Sequence, residues 1–291
     1  MRRMTVSVAA ALCLPLIAAA SAREETLPEG VRMYDFPEWR VTAIQDQPAK
    51  MPGTLFHDSS AGGPVPLKPF YASSHNVFLL KHKATGKLFL IDAGFGNGRS
   101  CLIGRLAALD IAPAEISAVL ITHIHPDHVG GLTLPEGGPA FPQAEILIAR
   151  REYDAWKADR SRASLSRHLV PCGKRIRLFD HDREIIPGIT PRCYPGHTPG
   201  HTVYEMATAR GPAVFFVGDI VHAAELQVPN YRYCAKFDMD PALAPDSRYK
   251  LLTRGGVWFG AHIPFPGKAE IFRTGAGERS GFGYASDDPL R

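Results

Sequence analysis

The run Ile116–Ile121 (ISAVLI) is apolar but for one serine, and Thr122–His128 (THIHPDH) follows it without a spacer. A short apolar run bounded by turn residues reads as a buried strand. Three histidines and an aspartate at its end then ask for a site that opens where the strand stops. Pro126 disfavours helical geometry at His125, so residues 122–126 are expected to be extended or turning, with Asp127 and His128 opening a helix or tight turn before Gly130 and Gly131. Residues two apart on an extended chain point the same way. His123 and His125 can therefore converge on one position, while Asp127 and His128 face a second beside it. Neither half-site is complete, because a zinc ion takes about four nitrogen, oxygen or sulfur ligands.

Three other apolar runs end in the same manner. Pro195–His201 (PGHTPGH) follows a strand-like segment ending at Tyr194, Gly218-Asp219 follows AVFFV, and Ala261-His262 follows VWFG. A lone histidine after a strand is more often structural than a ligand. Four such endings in one chain are hard to assign to coincidence, and the shared end of a sheet sandwich is where strand ends meet.

Elsewhere the pattern predicts a hairpin over Asn76–Ile91, a glycine-rich loop after Asp92 (AGFGNG), a helix within Ser100–Asp110, a strand at Ala144–Ala149 and a helix at Arg150–Ala158. Strands are expected at Ile189–Tyr194, Thr202–Ala207 and Ala213–Val217, with a last one at Val257–Ala261. Residues 23–70 read as an irregular arm with one strand near Trp39–Ile44, and the polar, basic residues 159–182 as a surface excursion. No linker divides the chain, which predicts one α+β domain over residues 23–291 with sheets packed in layers.

A formal charge of +4 is too small to indicate nucleic acid as a partner. Residues 1–22 combine a basic start, an apolar stretch and the small-residue ending Ala20-Ser21-Ala22, the three parts of a secretory signal peptide. The expected mature protein starts near Arg23, is periplasmic or secreted, and has no membrane association after cleavage. Cys101, Cys172, Cys193 and Cys234 then remain, widely spaced and without a CxxC pair; buried thiols are the plainer reading.

THIHPDHVGG, YPGHTPGHT, FFVGDIVH and GAHIPFPG, in this order and over about Val41–Phe272, resemble the metallo-β-lactamase superfamily. The resemblance implies an αββα sandwich, two mixed sheets face to face with helices outside, and two metal ions at one edge. By that match His123, His125 and His197 hold one ion, Asp127, His128 and His262 the other, and Asp219 bridges them. Asp92 matches the family's aspartate in the loop after its strand and is expected to orient a ligand. His201 is expected to support the site from behind. His222 stands where some lactonases of the superfamily carry tyrosine, a departure that weighs against lactone specificity yet leaves it placed to touch substrate. His57, His75, His82, His168 and His181 lack a strand end and read as surface or packing residues.

Five imidazoles and two carboxylates suit zinc, with manganese, cobalt or iron as other candidates. Two Zn2+ per chain would lower the pKa of a bridging water from 15.7 to about 7. The implied activity is that of an exported dinuclear hydrolase whose bridging hydroxide attacks lactones, esters or phosphotriesters, small molecules all, with Asp127 accepting a proton. Asp219 disfavours a true β-lactamase, and His125 stands where the di-iron redox branch has glutamate. Only 29 residues follow His262, too few for a glutathione-binding helical region. GDIVH, GAHIPFPG and Phe237–Asp240 look most like the branch with acyl-homoserine lactonases and methyl-parathion-type hydrolases. The alternatives are a β-lactamase or thioesterase of the same fold, or a metal-binding module without turnover. Phe56, Tyr231 and Phe265 are candidate pocket walls, and a homodimer is left open.

Overall fold

A computed structural model describes residues 27–59, 68–96, 98–159, 163–275 and 281–287. The signal peptide expected at residues 1–22 lies outside them.

Two mixed sheets carry the fold. The first runs in spatial order Val31–Asp35, Trp39–Pro52, Phe70–His82, Leu88–Ile91, Ile116–Leu120, Glu145–Ala149 and Ile176–Phe179. Its first four strands are antiparallel neighbours and the remainder pair in parallel. The second runs Gly281–Ser286, Lys268–Thr274, Gly256–Gly260, Val214–Gly218, Thr202–Met206 and Ile189–Cys193, with one parallel pair at its centre.

Side chains alternate across these strands, as a period of two requires. Phe216 and Phe259 turn inward and pack with Phe78, Leu80, Phe89 and Leu120 between the sheets. Their neighbours Phe215 and Trp258 turn outward, onto Leu251 and Leu252 of the helix Ala244–Arg254. On the opposite side Leu102 and Leu106 of the helix Leu102–Ala107, and Trp156 of Arg150–Ala158, cover Val119 and Ile146. The layers are α, β, β, α. Both faces of the central strands are buried, which is why they read as unbroken apolar runs.

Three expectations need correction. Among its described residues the irregular arm contains three strands, Val31–Asp35, Trp39–Pro52 and Phe56–Asp58, the second of them fourteen residues long. Its second half was obscured by Gln45–Gln47, where the register shifts, and by Pro48. Pro48 is tolerated because pairing to the first strand stops at Ile44, so beyond it the strand has a partner on one side only. Within 159–182, Leu165, Leu169 and Cys172 are buried and Ile176–Phe179 closes the first sheet. Arg175, which made that stretch look like surface, donates to the carbonyls of Phe141 and Ala144. The strand before His262 is also not the last. Lys268–Thr274 and Gly281–Ser286 extend the second sheet, with Ala269 and Ile271 buried on one face.

The sheets are joined at the edge where the histidine turn lies. Thr202 N–H donates to the Thr122 carbonyl at 2.9 Å, and the Tyr204 hydroxyl to that of Ile121 at 2.7 Å.

Candidate metal centre

Beyond the strand Ile116–Leu120 the chain reaches His125 in an extended conformation (φ −75°, ψ 155°), and Pro126 opens a single helical turn, Pro126–Val129. Proline suits a first helical position because its missing N–H would have no partner there. His123 Nε2, His125 Nδ1 and His197 Nε2 form a triangle with sides of 3.0, 2.9 and 3.1 Å. Donors on a tetrahedral zinc with bonds of about 2.0–2.1 Å lie roughly 3.3 Å apart, so the triangle fits one face of such an ion.

The second group lies against the first. His128 Nε2 is 3.1 Å from Asp219 Oδ1 and 3.5 Å from Asp127 Oδ2. His262 Nε2 is 3.4 Å from Asp127 Oδ2 and 3.1 Å from Asp219 Oδ2. That same Oδ2 is 3.2 Å from His197 Nε2 and 3.7 Å from His123 Nε2. The seven residues named from the sequence thus gather as two sets that share Asp219, each with its donor atoms within 4.8 Å of one another. His128 Nε2 and Asp219 Oδ1 are buried and close, yet neither makes a hydrogen bond. Such orphaned atoms are costly unless something else binds them.

Contacts behind the rings decide which nitrogen faces inward. Asp92 accepts from Thr122 N–H and its hydroxyl, and takes His128 Nδ1 at 2.8 Å. His262 Nδ1 meets the Ser74 carbonyl at 3.0 Å, and His197 Nδ1 meets Asp238 at 2.9 Å. All three rings therefore direct Nε2 to the centre, the tautomer that metal-binding histidines commonly adopt. His201 accepts the Asp219 N–H at 3.1 Å, from behind as expected. Asp92 itself has φ 62°, a left-handed value that aspartate tolerates better than most residues.

The electrostatics favour a cation. Burial opposes the charge on Asp127 and Asp219, but the surrounding imidazoles hold both carboxyls well below the usual range. Burial, with His197 adding to it, pushes His125 down to about 3. Burial also opposes the protonation of His262, yet Asp219 and Asp127 raise it to about 10.

A cleft of about 290 Å³ opens over the cluster, lined by Met51, Phe95, His125, Pro126, Asp127, Asp219, His222, Phe237 and His262. His222 Nε2 is 3.2 Å from Asp219 Oδ2, and its ring stacks on His262 at 5.1 Å. The expected walls are elsewhere: Phe56 packs on Tyr71, Tyr231 on Tyr249, and Phe265 against the core between the sheets. His75 also differs from expectation. Its Nδ1 is 3.5 Å from Asp127 and its ring 4.9 Å from His262, because the long strand Phe70–His82 passes beside the centre. His82, His168 and His181 contact Thr85, Thr133 and Thr202, and His57 lies in a two-stranded ribbon.

Sequence reasoning missed two acids. Asp238 was noted only as part of Phe237–Asp240. Glu152, buried, reaches both the His123–His125 and the His197 loops, and burial raises its carboxyl above the usual range. It lies three residues past Ala149, another strand end at this edge. Extending the strand-end search to acids in the next turn would have found it.

The model of the Metallo-beta-lactamase superfamily matches residues 71–270. An N-acyl homoserine lactonase of Bacillus sp is 28% identical over 174 residues, 59% of this chain and 66% of that one. A hydroxyacylglutathione hydrolase of Aeromonas hydrophila is 30% identical over 166 residues, 55% of this chain and 52% of that one. The matched stretches span somewhat less than two thirds of these relatives. The hydrolase AbOPH of the beta lactamase superfamily superposes with a TM-score of 0.74 at 23% identity, covering 89% of this chain and 98% of that one. AidC, a dizinc quorum-quenching lactonase solved with N-hexanoyl-L-homoserine as product, superposes at 0.76 and 22% identity, with the same coverage. At these identities the likeness shows a common fold.

Proposed function

The chain belongs to the metallo-beta-lactamase superfamily, and from that membership we propose that it is a dinuclear metal-dependent hydrolase of neutral lactones, esters or phosphotriesters. The observation that carries this reading is Asp219, whose two oxygens reach both ligand sets. His123, His125 and His197 would hold one cation and Asp127, His128 and His262 the other, with Asp219 common to both. Zinc suits these nitrogen and oxygen donors best. When bound, such a pair of cations supplies a water of lowered pKa and polarises the bond to be cleaved.

The chain's own residues do the rest. Asp92, Asp238 and the Ser74 carbonyl hold the ligand rings in one tautomer. Asp127 sits in the cleft wall, where its carboxylate can take the proton of the attacking hydroxyl and pass it to the departing oxygen. His222, in the same wall, is placed to touch the substrate oxygen. Met51, Phe95, Pro126 and Phe237 offer an apolar surface to the acyl or leaving group and exclude water from it.

No lysine or arginine is among the described residues that line the cleft. The carboxylate of a β-lactam or of a glutathione thioester would find no cationic side chain among those residues, which supports neutral substrates over those alternatives. Export to the periplasm or medium is part of the proposal, supported by the composition of residues 1–22 and tested by N-terminal sequencing of the expressed protein.

The test is a panel of chromogenic esters, lactones, a paraoxon-like triester and nitrocefin, run on metal-loaded and chelated protein. Turnover of at least one neutral substrate, lost on chelation and restored by zinc, is the expected result. Equal rates in both states on every substrate would end the hydrolase reading.

A further inference from the structure

Glu152 does not line the cleft, yet it touches both loops that build one side of the metal centre. It lies in the first turn of the helix Arg150–Ala158 and is buried. Its Oε1 accepts from Ile124 N–H at 3.0 Å and from Trp156 Nε1–H at 2.6 Å. Its Oε2 accepts from the Thr198 hydroxyl and from Gly200 N–H, both at 2.8 Å. Ile124 stands between His123 and His125, and Thr198 follows His197. The first loop leaves the first sheet and the second loop leaves the second. One carboxylate therefore spans the gap across which the triangle of His123, His125 and His197 is assembled.

Two further observations say that this gap is fixed. A Cβ on Gly200 would sit 2.3 Å from the Glu152 backbone nitrogen, so the loop approaches as closely as a glycine allows. Trp156, held by the same carboxylate, sets its ring edge-on to His125 at 5.5 Å. The choice of residue is also chemical. All four partners are neutral donors, and among side chains of this length only a carboxylate offers acceptor atoms alone. Glutamine would turn an N–H2 toward one of the two loops. A neutral side chain would be cheaper to bury, so the four converging donors are the geometric reason for a carboxyl group here.

We propose that Glu152 is a positioning residue that sets the cation affinity of the His123, His125 and His197 site, independently of the Asp127, His128 and His262 site. The proposal rests on the two-cation reading above, and its test separates the two.

Full-length protein is loaded with Zn2+ or Co2+ and titrated with a competing chelator, for wild type, Glu152→Gln and Thr198→Val. The wild type is expected to release two ions in resolvable steps. In Glu152→Gln one step weakens about 10–100-fold, the usual cost of losing an outer orienting group, and the other is unchanged; the Co2+ visible spectrum changes in one component. Thr198→Val removes one of the four donors and keeps the carboxylate, so the same step weakens by a few-fold. It also decides the matter alone if Glu152→Gln does not fold. Equal weakening of both steps would reduce Glu152 to a general fold stabiliser, and unchanged affinity would remove any role in metal binding. A wild type holding a single ion overturns the two-cation reading; the Glu152 proposal then stands if that ion weakens in Glu152→Gln and falls if it does not.

Discussion

Asp238 Oδ1 lies 2.9 Å from His197 Nδ1, and its other oxygen lies 3.5 Å from the guanidinium of the buried Arg248. Arg248 also donates to the carbonyls of Ile220 and Tyr233, so the segment after Asp219 and the orientation of His197 depend on one buried charge pair. Asp238→Asn keeps an acceptor for His197 but removes the charge that steadies both partners. Zinc affinity should fall about 10–100-fold, measured by chelator competition. Asp238→Ala leaves Arg248 buried without a counter-charge and should also cost about 3 kcal/mol in urea unfolding.

Asp219→Ala removes the carboxylate shared by the two sets while leaving every imidazole in place. On the two-cation reading, metal content should fall from two ions per chain toward one, and kcat/KM by roughly two orders of magnitude or more, because a pair of cations would no longer be held to activate water. Metal analysis of dialysed protein, paired with rates at saturating zinc, reads both quantities. Unchanged stoichiometry would mean that Asp219 is not common to the two sites.

The histidine turn and the strand ends were legible because each couples a long apolar run to a polar residue with no reason to be buried alone. His197, Asp219 and His262 stood out for that reason. Glu152 and Asp238 did not, because an acid in a helix turn or a loop is ordinary until its four donors or its histidine are known. His75 was misread for a related reason: it sits in the middle of a strand, and its role follows from that strand's path past Asp127 and His262 rather than from its neighbours in sequence. The walls of the cleft were the least legible part. Phe95 is placed by Asp46, which accepts its N–H at 3.0 Å and also takes Ser100, Cys101 and Leu102, forty-nine or more residues further along the chain.

Phe237 is 42% exposed, an unusual position for a large apolar side chain, and its ring lies 5.6 Å from His222 at the mouth of the cleft. An apolar group entering the cleft would bury it. Phe237→Ala should raise KM for aryl esters about 5–30-fold, the equivalent of about 1–2 kcal/mol of aromatic contact, with kcat little changed. The loss should grow with the apolar bulk of the substrate. A fall in kcat alone, with KM constant, would place Phe237 outside the binding surface.

Glu205 offers a pH test away from the metal centre. It lies on the strand Thr202–Met206 and pairs with Arg254 and with Arg192, the latter at 2.8 Å. Burial pushes its carboxyl up, but the two guanidinium groups outweigh this and hold it below its ordinary value of 4.5. A carboxyl whose folded pKa is depressed contributes stability above its unfolded pKa and loses it as pH falls through the folded value. The arginines are about one-third exposed, so solvent screens the pairs, and a contribution of about 0.5–1 kcal/mol is reasonable. Glu205→Gln should therefore be less stable than wild type by that amount at pH 6, and the gap should close as pH falls below about 4.5. Comparing the two proteins by urea unfolding at each pH cancels the titration of the histidine cluster, which both share. A gap that persists undiminished to pH 3 would show that the two arginines bind Glu205 by hydrogen bonding that does not require its charge.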